Sequence, residues 1–153
     1  MYGLELKIPP VALVFITAVL MWCAARAVPR LQLVLPARPL VFVSVMAIGI
    51  VIIGLGFFSF RRAGTTVNPT KPDSSSALVI SGIYRVTRNP MYLGFLLMLS
   101  GWAIYLSNVM AFLFLPLFVL YLNRFQIGPE ERALTSLFGQ EFVAYTSRVR
   151  RWI

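Results

Sequence analysis

The sequence contains no histidine and only one cysteine, Cys23, which lies inside an apolar run. A single cysteine cannot form an intrachain disulfide, and a chain without histidine lacks a common ligand of zinc and haem. We therefore expect no disulfide scaffold and predict no metal ligands. The apolar surroundings of Cys23 also argue against a reactive thiol at that position.

Charged residues are also scarce, at 12% of the 153 residues, whereas apolar residues make up 59%. The charged share is about half that of an ordinary globular domain. A soluble core of this size cannot hide so much apolar surface, and uninterrupted apolar runs of ~20 residues match the thickness of a bilayer. The composition predicts a single all-α integral membrane domain over residues 1–153, with no acidic residue in the core of any apolar run.

Four apolar runs divide the chain, and we expect each to form a transmembrane helix. Only Ser107 and Asn108 separate the third run from the fourth, which predicts a tight antiparallel hairpin. Gly128 and Pro129 are expected to end the fourth membrane helix and to begin a C-terminal amphipathic helix. The predicted bounds are 8–28, 39–60, 91–106 and 109–127 for the transmembrane helices, 61–90 for a cytoplasmic cap loop and 129–153 for the C-terminal helical tail.

The formal charge of +9 arises from 14 Lys and Arg residues against five acidic residues. These cations lie beside the apolar runs and form no stripe with stacking aromatic residues, so we expect membrane lipids and not nucleic acid as partners. If both termini lie on one side, that side holds eleven cations and the other holds Arg26, Arg30 and Arg38. The positive-inside rule then places both termini and the active site in the cytoplasm.

Two polar segments flank the predicted hairpin. The first, RVTRNP, leads into the third apolar run, and the second follows the fourth run and begins with an acidic pair. Because a hairpin returns its two ends to the same membrane surface, we expect these segments to build one site for a small polar cofactor. The side chains concerned are Arg85, Arg88, Asn89 and Tyr92 at the start of the hairpin and Arg124, Glu130 and Glu131 at its end.

The segments SGIYRVTRNPMYLG and EERALTSLFGQEFVAYTSRVRRWI resemble the isoprenylcysteine carboxyl methyltransferase family, which is related to the membrane phospholipid N-methyltransferases. The resemblance covers roughly residues 64–153, and the first two helices match only as generic membrane helices. That family usually reads Arg-His-Pro-x-Tyr-x-Gly in the first segment, whereas this chain has Asn89 in place of histidine. Asparagine can still donate and accept hydrogen bonds, but it cannot act as a titrating base. The matching positions are Arg88, Pro90, Tyr92 and Gly94, followed by Glu130, Glu131, Leu134, Phe138, Gly139 and Tyr145.

The resemblance implies S-adenosylmethionine as the cofactor and methyl transfer at the cytoplasmic face. It also implies an amphiphilic acceptor in the membrane, either a prenyl-like carboxylate or a lipid amine, presented by a lipophilic small molecule or a lipidated molecule. Arginine suits a carboxylate clamp, and a glutamate suits the amine, ribose hydroxyls or sulfonium of the cofactor. The predicted catalytic residues are Arg88, Glu131 and Arg148, the predicted cofactor-binding residues are Tyr84, Arg88, Asn89, Pro90, Tyr92, Gly94, Glu130 and Glu131, and the predicted substrate-binding residues are Arg124 and Tyr145.

Two other functions fit the same composition. A non-enzymatic helical-bundle transporter or membrane assembly protein would bind no cofactor and would tolerate changes at Arg88 and Glu131. Apolar runs without acids count against coupled transport, because such proteins keep ionisable groups at membrane depth. A membrane reductase that uses NADPH can have a similar tail, but an acidic pair repels the phosphates of that cofactor. The sequence leaves the acceptor and the oligomeric state open.

Overall fold

The computed structural model describes residues 5–64 and 77–153, apart from the side chain of Arg30, and the described part contains no strand. The predicted all-α class is therefore confirmed for this part of the chain. A 3₁₀ turn at Pro29–Leu31 follows the first helix, and another at Gly82–Arg85 precedes the third. The α-helices are α1 (Pro10–Ala27), α2 (Arg38–Arg62), α3 (Pro90–Leu106), α4 (Val109–Leu122) and α5 (Gly128–Thr146), and a π-helical turn at Asn123–Ile127 joins α4 to α5.

Prolines mark the starts of four of these helices. Pro10, Pro39, Pro90 and Pro129 each occupy the first or second helical position. A missing N–H has no consequence there, because the first amides of a helix have no intrahelical acceptor, and the fixed φ of proline suits the helix. These local signals explain why the predicted helix starts agree with the observed ones to within two residues.

Within the part of the chain that the structure describes, three helical segments are long and apolar enough to cross a membrane: α1, α2 and the path Val109–Thr146. Helix α3 is apolar but shorter, with 17 residues. The path Val109–Thr146 bends at Gly139, and residues 109–138 before the bend correspond to about 45 Å of helix, which exceeds the ~30 Å of bilayer hydrocarbon. The polar helix α5 therefore extends beyond the apolar length of α4. These helices support an integral membrane protein, while four spans and a cytoplasmic orientation stay predictions.

The structure changes one feature of the predicted outline. Gly128 and Pro129 begin the C-terminal helix α5 as expected, but the prediction that the preceding helix ends at this pair is wrong. The π turn continues α4 directly into α5, and the N–H of Gly128 donates to the carbonyl of Asn123 within it. Residues 65–76 of the predicted cap loop lie outside the described residues, and the part that follows them holds the 3₁₀ turn Gly82–Arg85.

The predicted hairpin of α3 and α4 is confirmed. Ser107 ends α3 in the left-handed conformation, with φ of 50°, and the Asn108 side chain caps α4 by accepting the N–H of Met110 at 2.9 Å. Asn108 Nδ2 also donates to the Val28 carbonyl at 2.9 Å, which ties the closed end of the hairpin to the end of α1. The open end carries the two polar segments. The core shared by α1, α3, α4 and the π turn contains Leu13, Met21, Tyr92, Leu99, Ala103, Ala111, Phe118, Leu122 and Ile127.

Helix α2 packs antiparallel against α3 through glycines. A Cβ placed on Gly94 would lie 2.7 Å from the Gly49 carbonyl oxygen, and one placed on Gly49 would lie 2.8 Å from the Gly94 carbonyl oxygen. Near the start of α3, Gly56 faces Pro90 and Met91. Two helix backbones can approach so closely only where no side chain stands between them. This packing fixes where α3 begins and thus where the first polar segment lies.

Candidate functional site

The centre of the candidate site is the carboxylate of Glu131. This residue lies in the first turn of α5, and two arginines bind its carboxylate. Arg88, two residues before α3, places Nη1 at 3.2 Å from Oε1. Arg151 donates from Nε to Oε1 at 3.1 Å and from Nη2 to Oε2, so it binds the carboxylate through two parallel hydrogen bonds. The side chains of Arg88 and Glu131 are only 15% and 21% exposed. The hairpin brings Arg88 and Glu131 together as expected, whereas sequence reasoning did not single out Arg151.

Residues 147–153, which we call the C-terminal strap, bind the turn that precedes α3. The backbone N–H of Arg88 donates to the Arg150 carbonyl at 3.0 Å. The side-chain amide of Asn89 donates from Nδ2 to the Arg151 carbonyl, also at 3.0 Å. Asn89, the position at which the chain lacks the histidine of the resembled family, therefore anchors the strap. These backbone contacts hold the Arg151 side chain next to the Glu131 carboxylate.

The π turn positions a second set of side chains. Its first residue, Asn123, accepts a hydrogen bond from Trp152 Nε1 of the strap at 3.1 Å. Gln126 donates from Nε2 to Glu130 Oε1 at 3.3 Å, and the hydroxyl of Tyr92 donates to the same oxygen. Neutral donors thus hold one glutamate of the acidic pair, while arginines hold its neighbour. π-helical turns are rare in proteins, but many of those that occur lie at functional sites.

A cavity of about 380 Å³ lies beside the Glu131 carboxylate, within the ~300–1,000 Å³ range of small-molecule sites. Between the lining residues Thr135 and Phe142, α5 bends at Gly139, with φ of 50° and ψ of −123°, a region that favours glycine. Arg88 contributes a guanidinium whose Nε is buried and has no hydrogen-bond partner among the described residues. The lining residues are Arg88, Gly128, Glu131, Arg132, Thr135, Phe142, Val143 and Thr146.

Two predicted tyrosines lie next to the cluster without lining the cavity. The hydroxyl of Tyr145 donates to the backbone carbonyl of Tyr84 at 2.7 Å. The ring of Tyr84 meets the ring of Phe60 edge-on, with centroids 5.4 Å apart. Burial raises the pKa of the Tyr84 phenol well above its ordinary value, so this group stays neutral near pH 7. Through these contacts, Tyr145 connects α5 to the 3₁₀ turn Gly82–Arg85, and Tyr84 connects that turn to α2.

Pro90, Gly94 and Arg124 also lie outside the cavity lining, as do Asn89, Tyr92 and Glu130, whose contacts are described above. Pro90 and Gly94 are buried in the interface between α2 and α3. Arg124, in the π turn, pairs with Glu5 at 3.4 Å, and its side chain is 56% exposed. The structure therefore assigns a packing position to the first two and an ion pair outside the Glu131 cluster to the third.

The predicted catalytic residue Arg148 does not join the Glu131 cluster. It is exposed, and its Nε donates to the Ala144 carbonyl at 3.1 Å within the last turn of α5. The arginine that reaches Glu131 is Arg151, three residues later. The motif RVRRWI has the pattern of an interfacial anchor, and this pattern does not distinguish its three arginines. Which of them reaches Glu131 depends on where the strap leaves α5.

A sequence model described as phospholipid methyltransferase matches residues 38–141. The chain belongs to the phospholipid methyltransferase family. The matched segment includes Arg88, Asn89 and the acidic pair, and it also includes α2, which the motifs alone did not connect to the family. It ends before the C-terminal strap, so Arg151 lies outside it.

Named relatives agree with the predicted family, which is confirmed. The chain is 34% identical over 83 residues to the protein-S-isoprenylcysteine O-methyltransferase of Saccharomyces cerevisiae, covering 52% of this chain and 34% of that protein. It is 33% identical over 116 residues to a probable protein-S-isoprenylcysteine O-methyltransferase of Oryza sativa subsp. indica, covering 71% of this chain and 59% of that protein. The chain thus spans less than two thirds of the length of these two relatives.

A shorter relative has no assigned activity. An uncharacterized protein of Haemophilus influenzae is 46% identical over 63 residues, which cover 41% of this chain and all of that protein. No solved structure matches the chain.

Proposed function

We propose that this chain transfers a methyl group from S-adenosylmethionine to an amphiphilic acceptor held in the membrane. The observation that carries the proposal is that Arg88 and Glu131 line the same cavity. A partly buried cation and a partly buried anion thus face one small-molecule space at the open end of an apolar hairpin. Membership of the phospholipid methyltransferase family supports the reaction class.

The residues of the cavity fit this cofactor chemically. S-adenosylmethionine carries a carboxylate, an ammonium, a sulfonium and two ribose hydroxyls, so its site needs both signs of charge. The buried Nε of Arg88 has no partner within residues 5–64 and 77–153, and a carboxylate is the acceptor that a guanidinium binds best. The Glu131 carboxylate already accepts from Arg88 and Arg151, and its remaining lone pair can accept a hydrogen bond from the ammonium or a ribose hydroxyl of the cofactor. Thr135 offers a hydroxyl and Phe142 an apolar ring face.

When bound, S-adenosylmethionine supplies a methyl group on a sulfonium, and a lone pair of the acceptor forms the new bond as the carbon–sulfur bond breaks, leaving S-adenosylhomocysteine. The contribution of the chain is placement. Arg88 and Arg151 fix the Glu131 carboxylate from two sides, and the strap and Asn89 fix Arg151. Holding two reactants at near-attack distance can supply ~7–11 kcal/mol of the barrier.

The acceptor is a prenyl-like carboxylate or a lipid amine. A carboxylate needs no proton transfer before methylation, whereas an ammonium must first lose a proton. The names of the two methyltransferase relatives favour the carboxylate, and the family description favours the phospholipid. The methylated products differ chemically, because base releases methanol from a methyl ester but leaves an N-methyl group in place.

The test is transfer of a radiolabelled methyl group in nanodiscs. Protein in phosphatidylethanolamine nanodiscs, with or without a farnesylated cysteine, is incubated with S-adenosylmethionine labelled in its methyl group. We expect label in one acceptor, base-labile for the carboxylate and base-stable for the amine, and a rate about a hundredfold lower in Glu131→Gln because the cofactor is misplaced. Arg62→Gln, an exposed arginine at the end of α2, is the control. Equal rates in wild type and Glu131→Gln, or no transfer to either acceptor, would refute the proposal.

A further inference from the structure

A second carboxylate, that of Glu5, lies between two arginines. Its Oε2 is 2.6 Å from Arg132 Nη2, and its Oε1 is 3.4 Å from Arg124 Nη1. The Glu5 side chain is only 13% exposed, whereas each arginine side chain is 56% exposed. Each oxygen of one carboxylate therefore faces a different guanidinium. The two arginines form a binding site for a single oxyanion, and the Glu5 carboxylate occupies this anion site.

This anion site adjoins the cavity of the candidate site. Arg132 lines the cavity together with Arg88. Arg124 belongs to the π turn, at the end of the apolar helix α4. An oxyanion held between Arg124 and Arg132 thus lies at the border between the polar cavity and the apolar helix. That is the position in which an amphiphile would place its headgroup while its tail follows α4.

The segment that carries Glu5 is held on the π turn by its backbone. The N–H of Leu6 donates to the Phe125 carbonyl at 3.1 Å, and Leu6 has φ of 57°, a conformation that is uncommon for residues other than glycine. The side-chain contacts of Glu5 are ion pairs with exposed arginines, and such pairs contribute little because water and salt compete for them. An anion with more acceptor oxygens can therefore replace the Glu5 carboxylate while the backbone stays in place.

The charges around the cavity leave an excess of cations. Glu130 adds a third carboxylate beside them, bound by neutral donors. Three glutamate carboxylates therefore face four guanidinium groups, and the remaining positive charge favours an anionic ligand. The groups are Glu5, Glu130 and Glu131 against Arg88, Arg124, Arg132 and Arg151.

We propose that Arg124 and Arg132 bind the oxyanion of an amphiphilic acceptor, a phosphate or a carboxylate, and that Glu5 occupies this site when the acceptor is absent. This inference rests on the proposed function, because it assigns the acceptor to the space next to the cofactor cavity. It narrows the acceptor to amphiphiles whose headgroup carries at least one oxyanion. Glu5 competes with that headgroup and lowers its affinity.

The test is calorimetric titration of the full chain in an uncharged maltoside detergent. The probe is dioctanoylphosphatidic acid, and the two comparison ligands are dioctanoylglycerol, which lacks the phosphate, and inorganic phosphate, which lacks the tails. We expect binding of the phosphatidic acid to be about tenfold weaker in the double variant Arg124→Gln/Arg132→Gln, because charge-assisted hydrogen bonds are lost. The matched control, Arg61→Gln/Arg62→Gln, removes the same charge from exposed arginines at the end of α2 and should bind like wild type.

The variant Glu5→Gln supplies a test in the opposite direction. It removes the competing carboxylate and leaves both arginines in place, so phosphatidic acid should bind more tightly than to wild type. This result does not depend on how well the double arginine variant folds. Equal affinity in wild type and Glu5→Gln, equal loss in both double variants, or equal binding of dioctanoylglycerol would overturn the proposal. Inorganic phosphate binding as tightly as the lipid would overturn its assignment to an amphiphile.

Titration with S-adenosylhomocysteine in the same preparations separates this inference from the proposed function. Binding of phosphatidic acid that depends on the arginine pair, without binding of S-adenosylhomocysteine, would support the anion site and count against methyl transfer. Binding of S-adenosylhomocysteine without any effect of the arginine pair on the lipid would support the cofactor site and refute the anion site.

Discussion

Two carboxylates in this protein, Glu131 and Glu5, are each held by two arginines, but in different surroundings. The arginines of Glu131 are 15% and 37% exposed, and those of Glu5 are both 56% exposed. The Glu131 cluster joins the turn before α3, the first turn of α5 and the C-terminal strap, and the Arg88 N–H and the Asn89 side chain hold the strap on the turn by donating to its backbone carbonyls. Among the described residues, the Glu5 pair has one backbone hydrogen bond nearby, from Leu6.

The difference shows how the same groups can serve two purposes. A partly buried ion cluster with fixed partners keeps one geometry, and breaking it leaves charges that have lost their counter-ion. The Glu5 side chain is itself only 13% exposed, but both of its arginines are 56% exposed and reach water, so these pairs contribute little and a ligand can displace them. We therefore propose cofactor placement for Glu131 and exchange with a headgroup for Glu5. Four substitutions test this contrast, in order of decreasing effect.

The largest effect is expected for Glu131→Gln. The change leaves Arg88 and Arg151 without their counter-ion in a partly buried position, so the free energy of unfolding should fall by about 3 kcal/mol. Denaturation in mixed micelles, followed by tryptophan fluorescence, measures this loss. Glu141→Gln, an exposed glutamate on the same helix, is the control and should leave stability nearly unchanged. Similar losses at both positions would show that the Glu131 cluster is no more fixed than a surface charge.

Gly94→Ala should perturb the cluster without changing any charge. The new Cβ would lie 2.5 Å from Ile53 Cγ1 and 2.7 Å from the Gly49 carbonyl oxygen, so α3 must shift and the free energy of unfolding should fall by about 2 kcal/mol. The same denaturation measurement applies. Gly54→Ala is the matched control, because nothing lies within 4 Å of a Cβ there. If the two alanines had equal effects, the assignment of Gly94 to helix packing would not hold.

A smaller effect is expected for Asn89→Ala. The variant loses the donor to the Arg151 carbonyl, which should cost about 1 kcal/mol of stability and weaken S-adenosylhomocysteine binding by loosening the strap. Asn89→His keeps a ring N–H donor and should restore much of the affinity. Calorimetry on the three proteins measures the effect. Rescue by histidine would identify the role of this position as hydrogen bonding, whereas equal loss in both variants would contradict that role.

The smallest effect is expected for Glu5→Gln. Its ion pairs with exposed arginines should contribute less than about 1 kcal/mol to the free energy of unfolding, and about 0.5 M salt should remove even that difference. The loss in Glu131→Gln should persist at the same salt concentration. Denaturation curves at low and high salt compare the two variants. A salt-resistant loss at Glu5 as large as that at Glu131 would erase the distinction between the two carboxylates.

The hairpin and the helix bounds were predictable because their signals are local. Ser107 and Asn108 leave no room for anything but a tight turn, and prolines mark the helix starts. The meeting of Arg88 with Glu131 follows from the hairpin alone. The continuity of α4 and α5 was not predictable, because a glycine–proline pair usually ends a helix and nothing in the local pattern announces a π turn.

The path of the C-terminal strap could not be predicted from the sequence either. Which arginine of RVRR reaches Glu131 depends on where α5 ends and on long-range hydrogen bonds to Asn89 and Arg88. The contact of Glu5 depends likewise on the left-handed conformation of Leu6. Both features arise from tertiary contacts between residues far apart in the chain, and a periodicity or a motif carries no information about them.

The most direct test of the central claim is calorimetric titration of S-adenosylhomocysteine into wild type, Glu131→Gln and Glu5→Gln in the same detergent. The account predicts saturable binding to wild type, binding of similar affinity to Glu5→Gln and no measurable binding to Glu131→Gln. Binding that is equal in all three proteins would contradict a cofactor site at Glu131, and so would the absence of binding to wild type.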